Sequence, residues 1–162
     1  MATAATTIHD LAFVKIHQVE MMFLPSAWRA APSVSLTWHQ FDFPPTPNVA
    51  PKVPGVYAFV ATPNIFNFDY AGGLFYVGKA TSLHNRISAY IAEIGKDFAV
   101  SGRPAIWSML NQWNGHLRYF YVTTATVEAA ENLEEEMIEA FRPPFNKQYK
   151  AATTSRVMRA FS

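Results

Sequence analysis

Residues 126–141 read TVEAAENLEEEMIEAF, and no other stretch of the chain limits its local structure so narrowly. Laid out at about 100° per residue, Val127, Ala130, Met137, Ile138 and Phe141 gather on one arc. Glu128, Glu131, Glu135, Glu136 and Glu139 fall on the other. Thr124 or Thr126 offers an N-cap oxygen, and Pro143-Pro144 stops the helix by removing backbone donors. A helix this one-sided must lie on an apolar layer. The rest of the chain has to supply that layer.

Three segments can do so. GVYAFVA (residues 55–61) and LFYVG (74–78) are short, β-branched and aromatic, and HLRYFYVTT (116–124) alternates. The first two are joined by TPNIFNFDYAGG, which reads as a long hairpin connection between antiparallel strands. Gly78 reads as the turn that ends the second strand. A helix then places Leu83, Ile87, Tyr90, Ile91 and Ile94 at helical spacing behind Thr81 or Ser82. RPAIWSMLNQW reads as another helix, ended by Asn114-Gly115. The order strand, strand, helix, helix, strand, helix predicts an α+β fold: a small antiparallel sheet covered by helices.

Ahead of Pro54 the pattern loosens. SVSLTW alternates as a strand, FPPTPNVAPKVP is an extended connector, and residues 1–53 read together as an N-terminal extension. The 162 residues thus divide into that extension, a domain over 54–150 and a C-terminal tail over 151–162. Beyond Ala140 there are basic residues (Arg142, Lys147, Lys150, Arg156, Arg159) and no acid. The chain has no cysteine, which excludes disulfides and thiolate chemistry and suits a reducing compartment. No stretch reaches the roughly 18 apolar residues of a membrane span, so a cytoplasmic protein is expected.

One residue of the last helix is out of place. Glu134 sits at the centre of its apolar arc, where a carboxylate costs several kcal/mol unless it is paired or holds a cation (~ values of that order are typical). Either outcome is open on this basis: an ion pair with a buried arginine, or a metal. Arg86 lies beside the apolar stripe of its own helix. Tyr57 and Tyr76 sit within core strands, where each phenol needs a partner.

These residues, in this order, resemble the GIY-YIG endonuclease family. GVY (Gly55–Tyr57) matches its first motif and YVG (Tyr76–Gly78) its second. Arg86 matches the helical arginine, and Glu134 followed by PPFN, ending on Asn146, matches the helix glutamate and its stop. YVGKATSLHNRISAY resembles the subgroup that includes the N-terminal nuclease domain of the bacterial excision-repair endonuclease, in which Lys79 and Tyr90 also belong to the site. The resemblance implies a three-stranded antiparallel sheet flanked by helices. It also implies metal-dependent hydrolysis of phosphodiester bonds, with DNA the expected substrate. Glu134 would be the sole protein ligand of one Mg²⁺, with Mn²⁺ as a substitute, since Mg²⁺ keeps several waters. Arg86 would hold the scissile phosphate and Tyr57 activate water. Lys79 would supply positive charge, Tyr76 orient water or phosphate, and Tyr90 and Asn146 support them. The motif tyrosines are 19 residues apart, more than in the family's compact hairpin. Two other expectations stand beside this one. One is a nucleic-acid-binding module of the same fold without cleavage; the other is an interaction domain in which Glu134 and Arg86 form a buried ion pair.

Overall fold

The computed structural model describes residues 19–63 and 65–146. Helix α1 (Pro25–Ala30) and strand β1 (His39–Asp42) come first, then β2 (Gly55–Ala61) and β3 (Gly73–Ala80). Helices α2 (Leu83–Ile91) and α3 (Pro104–Gln112), strand β4 (Leu117–Thr123) and helix α4 (Val127–Phe141) follow. The α+β class and the element order after Pro54 are as expected. The C-terminal tail lies outside the described residues, as does the start of the N-terminal extension before Val19.

The sheet has four strands, not three, in the order β1-β4-β2-β3, and every neighbouring pair is antiparallel. The added strand is His39–Asp42, just after SVSLTW, which itself forms no strand. Alternation marks a pleated surface but not its pairing partner. β1 is held by register with β4, with His39 opposite Tyr121 and Phe41 opposite Tyr119. β2 lies between two strands and is apolar on both faces, so nearly all of it is buried.

The sheet separates two apolar layers. Tyr57, Phe59 and Tyr119 pack under α2 and α3 with Leu83, Ile87, Tyr90, Met109 and Leu110. Val56, Ala58, Val77 and Val122 pack under α4 with Ala130 and Ile138. Val127 and Phe141, at the ends of the α4 stripe, are exposed, because the helix outruns the strands it covers. Thr126 is the cap of α4, accepting from Ala129 N–H, and Ser82 caps α2 through Asn85 N–H. The proline-rich connector is packed: Leu83 and His84 N–H donate to the carbonyls of Val53 and Pro51, and Asn48 donates to His84 O and Ser88 Oγ. The free N–H groups at the start of α2 are thereby used, and the helix is seated on β2. Among the described residues no helix is long and apolar enough to cross a membrane.

Candidate active site

Strand β3 is an edge strand, and unpaired edges are a liability that a fold must cover. Here the covering is made by α4 and the residues after it. Asn146 accepts from Val77 N–H (2.8 Å) and donates to Val77 O (2.7 Å), as a neighbouring strand would. Phe145 N–H donates to Phe75 O. Two residues along, Lys79 N–H donates to Glu134 Oε1 at 3.1 Å. The glutamate on the apolar arc thus has a structural reason to be there: it continues the hydrogen bonding of the sheet edge. Its side chain is 17% exposed, and its second oxygen lies 3.9 Å from the Lys79 ammonium.

Burial holds the Glu134 carboxyl above its ordinary pKa, against the opposing pull of Lys79 through both its ammonium and its backbone N–H. Arg86 lowers it further, so the guanidinium is within electrostatic reach. No ion pair joins Arg86 to Glu134 among the described residues, and the closest cation to the carboxylate is Lys79. The expected alternative of a buried Glu134–Arg86 pair is therefore not what the fold builds.

The opposite face of the same strands carries the tyrosines. Tyr57 is 1% exposed, and its hydroxyl shares a hydrogen bond with that of Tyr90 (2.5 Å). Its ring lies 6.2 Å from that of Tyr76, which is partly exposed. Burial, reinforced by Tyr90 and Tyr76, raises the Tyr57 pKa well above its ordinary value. Arg86 alone among its neighbours works the other way. Arg86 is the cation that pulls this phenol's pKa down, while the Lys79 ammonium is paired with Glu131 on α4.

Gly78 is not a turn. β3 runs through it to Ala80, and Gly78 is the cross-strand partner of Tyr57. A Cβ at this position would lie 2.3 Å from the Tyr57 hydroxyl oxygen and 2.4 Å from its Cζ. The motif glycine makes room for the motif tyrosine across the sheet. Turn chemistry and space for a ring leave the same letter in a sequence.

The fold therefore gathers the anticipated residues into two groups around one stretch of β3. Tyr57, Tyr76 and Tyr90 lie on one face, and Lys79 and Glu134 on the other. Arg86 acts electrostatically on both groups, and Asn146 holds the backbone between them. His84, two residues before Arg86, is half-buried and its Nδ1 contacts Ala50 O at 3.1 Å. Two neighbours went unread. Glu131 pairs with the Lys79 ammonium, although the wheel placed it on the solvated arc. Tyr119 stacks on Tyr57 with centroids 5.5 Å apart and planes 12° from parallel. It is fully buried, and its hydroxyl has no hydrogen-bond partner among the described residues. The alternation of Leu117, Tyr119 and Tyr121 in β4 was the available signal for the second.

An unpartnered buried hydroxyl costs about 1–3 kcal/mol. Tyr119→Phe, which keeps the stacked ring, is expected to stabilise the protein by about 1 kcal/mol. Urea denaturation reads this as a raised midpoint at unchanged slope. A lowered midpoint would mean that the hydroxyl is bonded in solution.

Comparison with known proteins gives the family of the domain. The profile of the family described as "UvrC-like GIY-YIG domain" matches residues 53–147. The UvrABC system protein C of Neisseria gonorrhoeae is 36% identical over 108 residues, covering 66% of this chain and 15% of that protein. The corresponding protein of Saccharopolyspora erythraea is 36% identical over 107 residues, covering 65% and 13%. The chain therefore spans less than a sixth of the length of these relatives. Among solved structures, the GIY-YIG N-terminal endonuclease domain of UvrC from Thermotoga maritima, bound to its catalytic divalent cation magnesium, is 22% identical. It covers 61% of this chain and 89% of that domain, with a TM-score of 0.43.

Proposed function

Because this chain belongs to the UvrC-like GIY-YIG domain family, we propose that it is a metal-dependent endonuclease hydrolysing phosphodiester bonds in DNA. One observation carries the reading. A desolvated carboxylate, Glu134, is anchored at the β3 edge within electrostatic reach of Arg86, which also acts on a cluster of tyrosine hydroxyls.

The donor set fits a single hard cation. Glu134 Oε1 is occupied by a backbone N–H, while Oε2 already faces positive charge at 3.9 Å. A divalent ion with one carboxylate and several waters suits Mg²⁺, with Mn²⁺ as a substitute. When bound, the metal supplies Lewis acidity and stabilises charge on the departing 3′-oxygen. The remaining work falls to the chain. Arg86 makes no salt bridge among the described residues, which leaves its planar fork for two phosphate oxygens. Water attacks phosphorus as the bond to the 3′-oxygen breaks; the water proton passes by way of the partly exposed Tyr76 hydroxyl to bulk water, and the departing 3′-oxygen takes up a proton from bulk water. Tyr57 enters that step as a neutral phenol bonded to Tyr90. It acts by orienting and relaying rather than as a pre-formed phenolate. Tyr76 is the more accessible hydroxyl for direct contact with the water or phosphate. Asn146 contributes by holding Val77, next to Gly78, in register.

Supercoiled plasmid incubated with Mg²⁺, Mn²⁺ or chelator, alongside Arg86→Ala, tests the reading. Nicking is expected only with metal, and Arg86→Ala is expected to lower it about a hundredfold or more. Metal-independent nicking, or full activity without Arg86, would sink the assignment. The burial of Tyr57 favours a second reading, a nucleic-acid-binding module of the same fold. Salt-sensitive binding to DNA without any cleavage would identify it.

A further inference from the structure

Lys79 is held at two points by one helix, and the two holds differ in kind. Its backbone N–H donates to Glu134 Oε1, a contact between a strand edge and a carboxylate that is only 17% exposed. Its ammonium donates to Glu131 Oε1, a contact between side chains 34% and 48% exposed. Glu131 stands three residues before Glu134 on α4, so both carboxylates reach β3 from the same flank. The first hold is built into the sheet. The second is a surface ion pair of the kind typically worth about 0–1 kcal/mol, and such a pair can be opened by a competitor.

We propose that Glu131 is a positioning residue that competes with the substrate for Lys79. In the free protein it neutralises Lys79 and keeps its ammonium on the α4 side. A phosphate group approaching the β3 edge must displace a carboxylate to gain that cation. The substrate class rests on the nuclease reading, since a phosphodiester is the anion the site is argued to take. Glu131 thereby lowers affinity for nucleic acid at a point where unopposed charge would raise it for every sequence alike. The device trades tight, unselective binding for release.

Binding to a short DNA duplex in chelator, where no cleavage occurs, tests this on the full chain. The salt dependence of the affinity counts the cations that replace counterions, with a slope of about 0.9 per phosphate neutralised on duplex DNA. Glu131→Gln is expected to bind several-fold more tightly at low salt, with a slope steeper by about 0.9. Glu128→Gln removes the same charge from the exposed first turn of α4, at a residue with no ion pair to Lys79 among the described residues, and is expected to leave the slope unchanged. Adding Lys79→Ala to Glu131→Gln should cancel the gain. Equal slopes for wild type and Glu131→Gln overturn the proposal alone. So does a gain that Glu128→Gln matches, or one that survives loss of Lys79. Failure of wild type and Glu131→Gln alike to bind at any salt concentration overturns the nucleic-acid reading together with it.

Discussion

Glu134→Gln is expected to reduce strand cleavage about a thousandfold, roughly 4 kcal/mol of transition-state stabilisation, without unfolding the protein. The two halves of this result come from one arrangement. A glutamine can still accept from Lys79 N–H through its side-chain oxygen, so the edge of β3 stays covered. What it cannot do is hold a hard divalent cation as an anion does. The stability half has a sign that follows from titration. Burial places the folded-state pKa of Glu134 above its unfolded value, so the folded protein binds the proton more tightly. This favours folding at low pH and is lost as pH rises from the ordinary glutamate range through the raised value. At neutral pH the ionised group is a net cost, and the amide removes it. Metal-free Glu134→Gln should therefore match or exceed the wild type in urea at pH 7, while the advantage disappears near pH 4. Nicking assays and paired urea titrations across pH check both halves. Near-wild-type cleavage by the variant would overturn the metal-binding role proposed for Glu134.

That carboxylate also shows how much a sequence carries and where it stops. The helical period of residues 127–141 was enough to mark Glu134 as a polar group aimed at the apolar layer, since a period is local information. Its partner was not local. The Lys79 N–H belongs to a strand edge 55 residues away, and nothing in the spacing of either segment encodes which edge the helix will cover. The fourth strand was missed for the same reason. His39–Asp42 has four residues and a largely exposed pattern, and it becomes a strand through pairing with β4. Glu131 was set aside as solvated because a helical wheel knows only its own helix, not the lysine across from it. Tyr119 was hidden differently: in β4 it reads as one more aromatic of an alternating strand. Only the register that stacks it on Tyr57 makes its hydroxyl conspicuous. Composition and period thus locate the groups that are out of place, and the tertiary pairing explains why they are tolerated.

Gly78→Ala should damage the fold and the candidate site together. The new Cβ would lie 2.3 Å and 2.4 Å from the Tyr57 hydroxyl oxygen and Cζ, and 2.9 Å from Tyr76 Cε1. Those are the two motif tyrosines, so the collision falls on the site itself. A flexible surface side chain could swing away from such a contact, but Tyr57 cannot. Its ring is stacked on Tyr119, its hydroxyl is bonded to Tyr90, and it is 1% exposed. Relief must come from the sheet, by prying β3 from β2 next to the Val77 and Lys79 anchors. Overpacking of a closed core costs about 1–3 kcal/mol, and this site is at the upper end of that range. Loss of cleavage should accompany it, because Glu134 and Asn146 are registered on the same stretch of β3. A double-mutant cycle separates this account from a simple loss of strand propensity or of turn geometry. Tyr57→Leu shortens the side chain beneath the new methyl, so Gly78→Ala should cost much less in that background than in the wild type. The coupling, read from urea midpoints, is expected to exceed about 1 kcal/mol. Additive costs would show that the glycine is kept for its backbone, as the turn reading held, and not for the ring that lies over it.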